Sequence, residues 1–416
     1  MQKALKTGLI GAHLGHSYSP RIHKALGDDD YRLIELSAEA LGNFLQNGDF
    51  DAVNVTIPYK KDVIPYLAHV SSEAARIGAV NTIVRDADGK LYGYNTDYDG
   101  LREMIDAMGI SMQGKKVLVL GSGGASRTAV TVSRDMGALD VVVISRSGED
   151  NYQNLDRHAD ADVIINTTPV GMYPNNGEAP LSLDIFKHLE AVLDLIYNPA
   201  RTALLMDAEA RGIPCCNGLL MLVSQARRAR ELFTGCSIPR SVSAKITREL
   251  EKEAENIVLI GMPGCGKSTL GKRLAADLGR EFVDADAEIV AEAGCTIPEI
   301  FEAEGEVGFR RRESAVLARL GKKKGLVIAT GGGAVTVPEN QPLLRQNGRL
   351  VFLDVAPENL STKGRPLSAT RTPEALYRER LPLYRKFASV TVPLVRSACK
   401  EADIEKNLEN IKEALL

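Results

Sequence analysis

Long apolar runs are missing from this chain of 416 residues. None approaches the ~18 residues that a membrane-crossing helix needs. The brief run from Gly8 to Ala12, behind Lys3 and Lys6, is too short for the core of a secretion signal. An excess of one charge is missing as well. The formal net charge of -3 leaves neither a nucleic-acid footprint nor a polybasic membrane patch. The six cysteines (Cys215, Cys216, Cys236, Cys265, Cys295 and Cys399) form no CxxC pair and no Cys/His cluster with zinc spacing. Reduced thiols in a soluble, cytoplasmic protein are therefore expected. Repeats and low-complexity tracts are absent too. With 44% hydrophobic and 25% charged residues the balance is globular, and the length allows roughly three domains.

What is present is alternation. Strand-like and helix-like runs follow one another along most of the chain, which points to α/β layering with parallel sheets. Two glycine-rich loops each follow a β-branched run and precede a helical pattern. Residues 121–126 read G-S-G-G-A-S after K-V-L-V-L, and residues 261–268 read G-M-P-G-C-G-K-S after N-I-V-L-I. Between them the charged stretch 248–255 is helical by propensity and holds no core-like cluster, so a fusion joint is placed there. Residues 85–90 read as a hairpin turn.

The second loop fits G-x-x-x-x-G-K-[ST] at every required position. Gly264, Cys265, Gly266 and Thr269 would let backbone N–H groups cradle phosphates at the start of a helix, with Lys267 on the β/γ-phosphates of ATP. The Ser268 hydroxyl would sit on Mg²⁺. Downstream, Asp284 and Asp286 close a short strand, where alternation puts both on one side. One could hold Mg²⁺ and the other accept a proton, although such a pair taken alone is more often a turn. Arg310 with Glu313 at i,i+3 suits a carboxylate, or else forms a solvated basic face. Gly331, Gly332 and Gly333 follow an apolar run and let backbone approach a ligand. Asp354, at the end of a run like a Walker B strand, is read as structural.

Together, residues 261–268, Asp284/Asp286, 309–313, 331–333 and 365–367 closely resemble shikimate kinase from about 256 to 394. The resemblance implies phosphorylation of the 3-hydroxyl of shikimate by ATP. It makes Asp286 the candidate base and Asp284 the magnesium-side carboxylate. Arg310 and Arg380 would clamp the substrate carboxylate, glycines 331–333 would line its pocket, and Arg365 would swing in from a lid. The lid segment 358–366 is shorter than that family's, with Lys363 the nearest cation to an arginine expected ahead of Arg365.

The first loop is a weaker pattern, because Ser126 takes the third small position of G-x-G-x-x-G. After the next strand, Arg146 between Ser145 and Ser147 suits the 2′-phosphate of NADP better than the ribose of NAD. Upstream, Ser17 and Ser19 present hydroxyls fit for a carboxylate, though Ser19 could simply cap a helix. Lys60 follows a proline, as solvated lysines often do, and Asp97 could cap a helix near Tyr98. In combination, Ser17/Ser19, 54–60, Asn81, 95–97, 121–126, 166–172 and 217–225 stand in the order found in shikimate dehydrogenase, and the chain resembles that family from about 7 to 240.

That resemblance implies reversible reduction of 3-dehydroshikimate by NADPH. Lys60 and Asp97 would be the catalytic pair, and Ser17 and Ser19 would take the carboxylate. Thr56, Asn81 and Gln225 would take ring hydroxyls. Tyr197 and Gly218 would border the nicotinamide end. Gly121, Gly123, Gly124, Ala125, Thr167 and Met172 complete the cofactor side. The implied fold is a discontinuous α/β substrate domain (1–97 with 217–250), a Rossmann NADP domain (98–216) and a P-loop kinase domain with a parallel sheet (251–416). Small-molecule substrates are the expected partners, without nucleic acid or membrane, and the oligomeric state stays open. Quinate chemistry in front, or a metabolite sensor without activity, are the competing readings. Lys60, Asp97, Lys267 and Asp286, all present, speak against the sensor.

Overall fold

A computed structural model describes residues 5–15, 17–360, 372–397 and 400–415. It divides into two compact units, 1–198 with 202–249, and 199–201 with 250–416. The charged stretch singled out above is helical: the helix Arg240–Ala254 runs through the division, and Leu250 within it is buried. Arg365 and Lys363, along with Cys399, lie outside the described residues. The other five cysteines are free thiols.

The first unit holds two sheets. One comprises β1 (Thr7–Gly11), β2 (Arg32–Glu35), β3 (Ala52–Val55), β4 (His69–Val70), β5 (Thr82–Arg85) and β6 (Leu91–Tyr94), in the order β2-β1-β3-β5-β6-β4. β1 is parallel to β2 and β3, whereas β5 is antiparallel to both β3 and β6. The expected hairpin forms between β5 and β6, its turn tied by Asp86 Oδ1, which accepts from the backbone N–H groups of Asp88 and Lys90. The other sheet is fully parallel: β7 (Lys116–Leu120), β8 (Asp140–Ile144), β9 (Val163–Asn166), β10 (Ala191–Asp194) and β11 (Cys215–Asn217), in the order β11-β10-β9-β7-β8. β9 and β10 are buried at every residue, as continuous apolar runs require when helices cover both faces. The first glycine loop leaves β7 where the strand order reverses, the usual place for a ligand crevice in such sheets. Between β8 and β9 the crossover holds only the short 3₁₀ turn Leu155–His158.

The second unit carries β12 (Asn256–Ile260), β13 (Phe282–Asp284), β14 (Val327–Ala329), β15 (Gly348–Asp354) and β16 (Val390–Pro393), all parallel in the order β13-β14-β12-β15-β16. Its central strand β12 is wholly buried and delivers the second glycine loop to the helix Lys267–Leu278. Asp354, at the end of β15, accepts from the Tyr377 hydroxyl at 2.8 Å.

One buried base couples the first unit to pH. His23 is 1% exposed, stacks on Tyr31 with ring centroids 3.8 Å apart, and lies near Phe233. Burial, with Arg230 adding to it, lowers its pKa to about 3. An unfolded histidine titrates near 6.5, so the folded state excludes a proton that the unfolded state binds. The stability this contributes is present above about pH 6.5 and is lost as pH falls, by about 2 kcal/mol at pH 5. His23→Phe keeps the stack and removes the proton site. Urea titrations followed by circular dichroism should show the loss between pH 7 and pH 5 reduced by about that amount.

Candidate functional site

Each unit has a cavity at the carboxyl ends of its strands. The first cavity measures ≈ 920 Å³. Its wall brings together Ser17, Ser19, Thr56, Lys60, Asn81, Asp97, Gly123, Gly124, Ala125, Tyr197, Gly218 and Gln225, from segments more than 200 residues apart. Lys60 Nζ donates to Asp97 Oδ2 at 2.6 Å. Asp97 is not the helix cap that it could have been: Asn95 caps the helix Thr96–Ala107, its side chain accepting from Tyr98 N–H. Asp97 therefore sits in the first turn with its carboxylate free to meet Lys60. Ser19 does not cap either, since the helix Ser19–Ala25 starts at it and Ser17 Oγ accepts its backbone N–H at 3.2 Å. Tyr197 is carried by the loop after β10, which Asp194 fastens by accepting from Thr202 Oγ1, Ile196 N–H and Asn166 Nδ2. Burial pushes the Asp194 carboxyl up to about 6 against those three donors.

Gly121 adopts φ +103°, and a Cβ there would meet Thr167 Oγ1 at 2.9 Å. At Gly123 and Gly124 a Cβ would meet nothing within 4 Å, so their backbone is open to the cavity at the start of the helix Gly124–Asp135. This open N-terminus fits the pyrophosphate of a dinucleotide. Gly121, Ser126, Thr167 and Met172 lie outside the wall, with Ser126 buried behind it. Ser145, Arg146 and Ser147 follow β8 and are likewise outside the wall, with Arg146 exposed. The sequence reading missed Arg127, which lines the cavity and whose Nε is buried without a hydrogen-bond partner among the described residues. Its place three residues after Gly124 was the available signal.

The second cavity measures ≈ 770 Å³ and is lined by Gly264, Gly266, Lys267, Ser268, Thr269, Asp284, Asp286, Arg310, Gly331, Gly332, Gly333 and Arg380. Gly264 and Gly266 take φ +86° and +104°, which only glycine adopts freely. Lys267 Nζ donates to the carbonyls of Gly261 (2.8 Å) and Met262 (3.1 Å), holding its ammonium across the loop. Ser268 Oγ donates to Asp284 Oδ2 at 2.6 Å, so two hard oxygen ligands of the kind Mg²⁺ takes are already adjacent. Cys265 turns away and is fully buried.

Asp284 and Asp286 share this cavity for a reason other than strand alternation. β13 ends at Asp284, which caps the helix Ala285–Ala293 by accepting from the N–H groups of Asp286 and Ala287. Asp286 is then a residue of the first helical turn. Arg310 Nη1 donates to Glu313 Oε2 at 2.6 Å, and Glu313 is completely buried. Burial pushes the Glu313 carboxyl up, with Arg310 opposing. The pair therefore belongs to the cavity wall and not to a solvated face. Arg380 Nη1 donates to the Gly332 carbonyl at 3.1 Å, and the buried Tyr384 hydroxyl donates to the same oxygen. A Cβ at any of the three glycines would displace a neighbour: at Gly331 it would lie 2.5 Å from Glu313 Oε1 and 2.8 Å from Asp286 Oδ1, at Gly332 2.5 Å from the Pro263 ring, and at Gly333 2.0 Å from Arg310 Nη2. Arg396, not anticipated, also lines the cavity and donates to the Cys265 carbonyl at 2.9 Å.

A lysine–carboxylate pair in one cavity with a glycine loop fits an oxidoreductase of the dinucleotide type, and the P-loop cavity fits a phosphotransferase on the same chain. The profile of the shikimate dehydrogenase substrate binding domain matches residues 9–83, and that of shikimate kinase matches residues 263–412. The chain is 37% identical over 265 residues to the NADP(+) shikimate dehydrogenase of Clostridium beijerinckii, covering 59% of this chain and 98% of that protein. Among solved structures, a chorismate mutase/shikimate 5-dehydrogenase fusion protein from Clostridium acetobutylicum superposes with a TM-score of 0.56 at 36% identity, over 60% of this chain and 98% of that one. The Thermus thermophilus shikimate 5-dehydrogenase in complex with NADP(H) and shikimate gives 0.54 at 33% identity, over 59% and 99%. The chain belongs to the shikimate dehydrogenase family and carries a shikimate kinase domain behind it. Among the described residues, no helix is long and apolar enough to cross a membrane.

Proposed function

We propose that this chain reduces 3-dehydroshikimate to shikimate with NADPH at its first site and phosphorylates shikimate with ATP at its second. The observation that carries the reading is the Lys60–Asp97 pair, 2.6 Å apart in a cavity shared with two serines and an open glycine loop. A bound NADPH, with Gly123, Gly124 and Ala125 at its pyrophosphate and Arg146 at its 2′-phosphate, would supply the hydride. Ser17 and Ser19 hold the substrate carboxylate, while Thr56, Asn81 and Gln225 read the ring hydroxyls. Lys60 gives its proton to the carbonyl oxygen as the carbon is reduced, and takes one back in the reverse direction. Asp97 orients the ammonium and balances its charge. Tyr197 and Gly218 wall the reacting end.

At the second site a bound ATP would supply the γ-phosphoryl group, with Ser268 and Asp284 holding its Mg²⁺. Lys267 steadies the phosphates, Arg310 and Arg380 take the carboxylate, and Asp286 accepts the proton of the attacking hydroxyl. The oxygen protonated at the first site is the one phosphorylated at the second, since both steps act at ring position 3. The domain division that accompanies this reading is 1–97 with 217–250, then 98–216, then 251–416. We place the enzyme in the cytoplasm with small-molecule partners alone, on its near-neutral charge and lack of apolar runs.

The test gives the purified chain 3-dehydroshikimate and NADPH, then ATP with Mg²⁺, and follows NADPH absorbance and product masses. Shikimate should form first, and its phosphate only after ATP. Absence of NADPH oxidation with phosphorylation of supplied shikimate would remove the dehydrogenase assignment alone. Gly331→Ala separates the halves from the other side: a methyl pressed between Glu313 and Asp286 should raise the kinase KM for shikimate by about tenfold or more and leave NADPH oxidation unchanged.

A further inference from the structure

Two buried hydroxyls lie behind the first cavity without lining it. Thr82 on β5 and Thr96 at the start of the helix Thr96–Ala107 are both fully buried, with their Oγ1 atoms 3.2 Å apart. Around them stand three side-chain amides that do line the cavity, those of Asn54, Asn81 and Gln225. Asn54 Nδ2 donates to Thr82 Oγ1 at 3.0 Å. Asn81 Oδ1 accepts from Thr96 N–H at 2.7 Å and lies within reach of both hydroxyls, Thr82 Oγ1 at 3.1 Å and Thr96 Oγ1 at 3.2 Å. Gln225 Oε1 accepts from Thr96 Oγ1 at 3.4 Å, while its Nε2 donates to the Leu222 carbonyl at 2.9 Å.

Each hydroxyl has one proton to give and more than one acceptor within reach. The Thr96 backbone N–H holds Asn81 Oδ1 inward, so Asn81 turns its Nδ2 toward the cavity. Thr82 already accepts from Asn54, and its own proton serves Asn81 Oδ1. The proton of Thr96 has Asn81 Oδ1 and Gln225 Oε1 within reach. The two hydroxyls thus brace the amides from behind, beside the Thr96 N–H that holds Asn81 and the Leu222 carbonyl that holds Gln225. A methyl group in place of either would strand a buried polar atom and let the amides shift from their places on the cavity wall.

We infer that Thr82 and Thr96 are positioning residues for substrate recognition, bracing Asn81 and Gln225 in place and through them the ring-hydroxyl pattern the site accepts. The inference rests on the dehydrogenase reading above. The test makes Thr82→Val, Thr96→Val and Thr96→Ser in the full chain. It measures kcat and KM for 3-dehydroshikimate and for an analogue lacking one ring hydroxyl. Either valine variant should raise the KM of the full substrate by about tenfold with kcat changed less than about threefold, and should shrink the penalty for the missing hydroxyl by a similar factor. Thr96→Ser keeps the hydroxyl and should retain wild-type values. Should Thr82→Val not fold, as judged by circular dichroism and by phosphorylation of supplied shikimate, Thr82→Ala carries the same expectation. A lowered Tm with an unchanged ratio between the two substrates would show a merely structural role and overturn the inference while leaving the dehydrogenase reading intact. A wild-type chain inactive on 3-dehydroshikimate would overturn both.

Discussion

Lys60→Ala is expected to lower the dehydrogenase kcat by about 10³, within the range that a positioned general acid contributes. Phosphorylation of supplied shikimate should stay within about twofold of wild type, since no residue of the second cavity is touched. The size of the effect follows from the pair. Lys60 and Asp97 meet at 2.6 Å with side chains 32% and 21% exposed, so the lysine that would protonate the oxygen also balances the carboxylate beside it. Alanine removes the acid and leaves the Asp97 charge unpaired in a cavity that must also admit a carboxylate substrate. KM should therefore rise along with the fall in kcat. Asp97→Asn keeps the shape and removes the charge, and should cost less than Lys60→Ala. Initial rates from NADPH absorbance, with a separate assay for ADP release, check both. Loss of both activities from Lys60→Ala would show that the halves depend on one another.

The elements that bind phosphate were legible because their physics is local. A β-branched run, a glycine loop and a helical pattern occupy about twenty consecutive residues, and no long-range packing is needed to recognise them. The structure puts β7 and β12 where those runs predicted them, β12 at the centre of its sheet and β7 one strand in from an edge. Side chains whose direction is set by helix caps were less legible. Asp97 and Asp286 were both singled out, but taken alone Asp97 was as much a helix cap as a site residue, and Asp286 was put on a strand face. In each case the residue two positions earlier, Asn95 or Asp284, takes the capping role and turns its neighbour into the first helical turn. An Asn or Asp ahead of a helical run was the signal available.

What could not be read was set by packing across the chain. Nothing local says that a Cβ at Gly333 would strike Arg310, or that the carbonyl of Gly332 gathers donors from Arg380 and Tyr384. The hydroxyls of Thr82 and Thr96 face one another only because β5 and the helix after β6 converge. Arg127 and Arg396 likewise reach their cavities through tertiary folding. Function was legible from residue types in order, whereas the supports that hold those residues still were not.

Asp286→Asn should lower the kinase kcat by about 10³ with dehydrogenase turnover unchanged. Asparagine is nearly isosteric, so the first turn of the helix Ala285–Ala293 and the contact facing Gly331 stay in place. The amide cannot accept the proton of the attacking hydroxyl. Arg310 and Arg380 remain to hold the substrate carboxylate, so the KM for shikimate should move by less than about threefold. Lys267→Ala provides the contrast. Its ammonium spans the phosphate loop through the carbonyls of Gly261 and Met262, so its loss should depress kcat and weaken ATP binding together. Isothermal titration with a non-hydrolysable ATP analogue, beside kinase rates, separates the two: Asp286→Asn should bind the nucleotide as wild type does and Lys267→Ala should not. An Asp286→Asn enzyme retaining more than about a tenth of wild-type kcat would place the base elsewhere. Glu313 is an unpromising substitute, because its carboxylate is buried beneath Gly331 and already committed to Arg310.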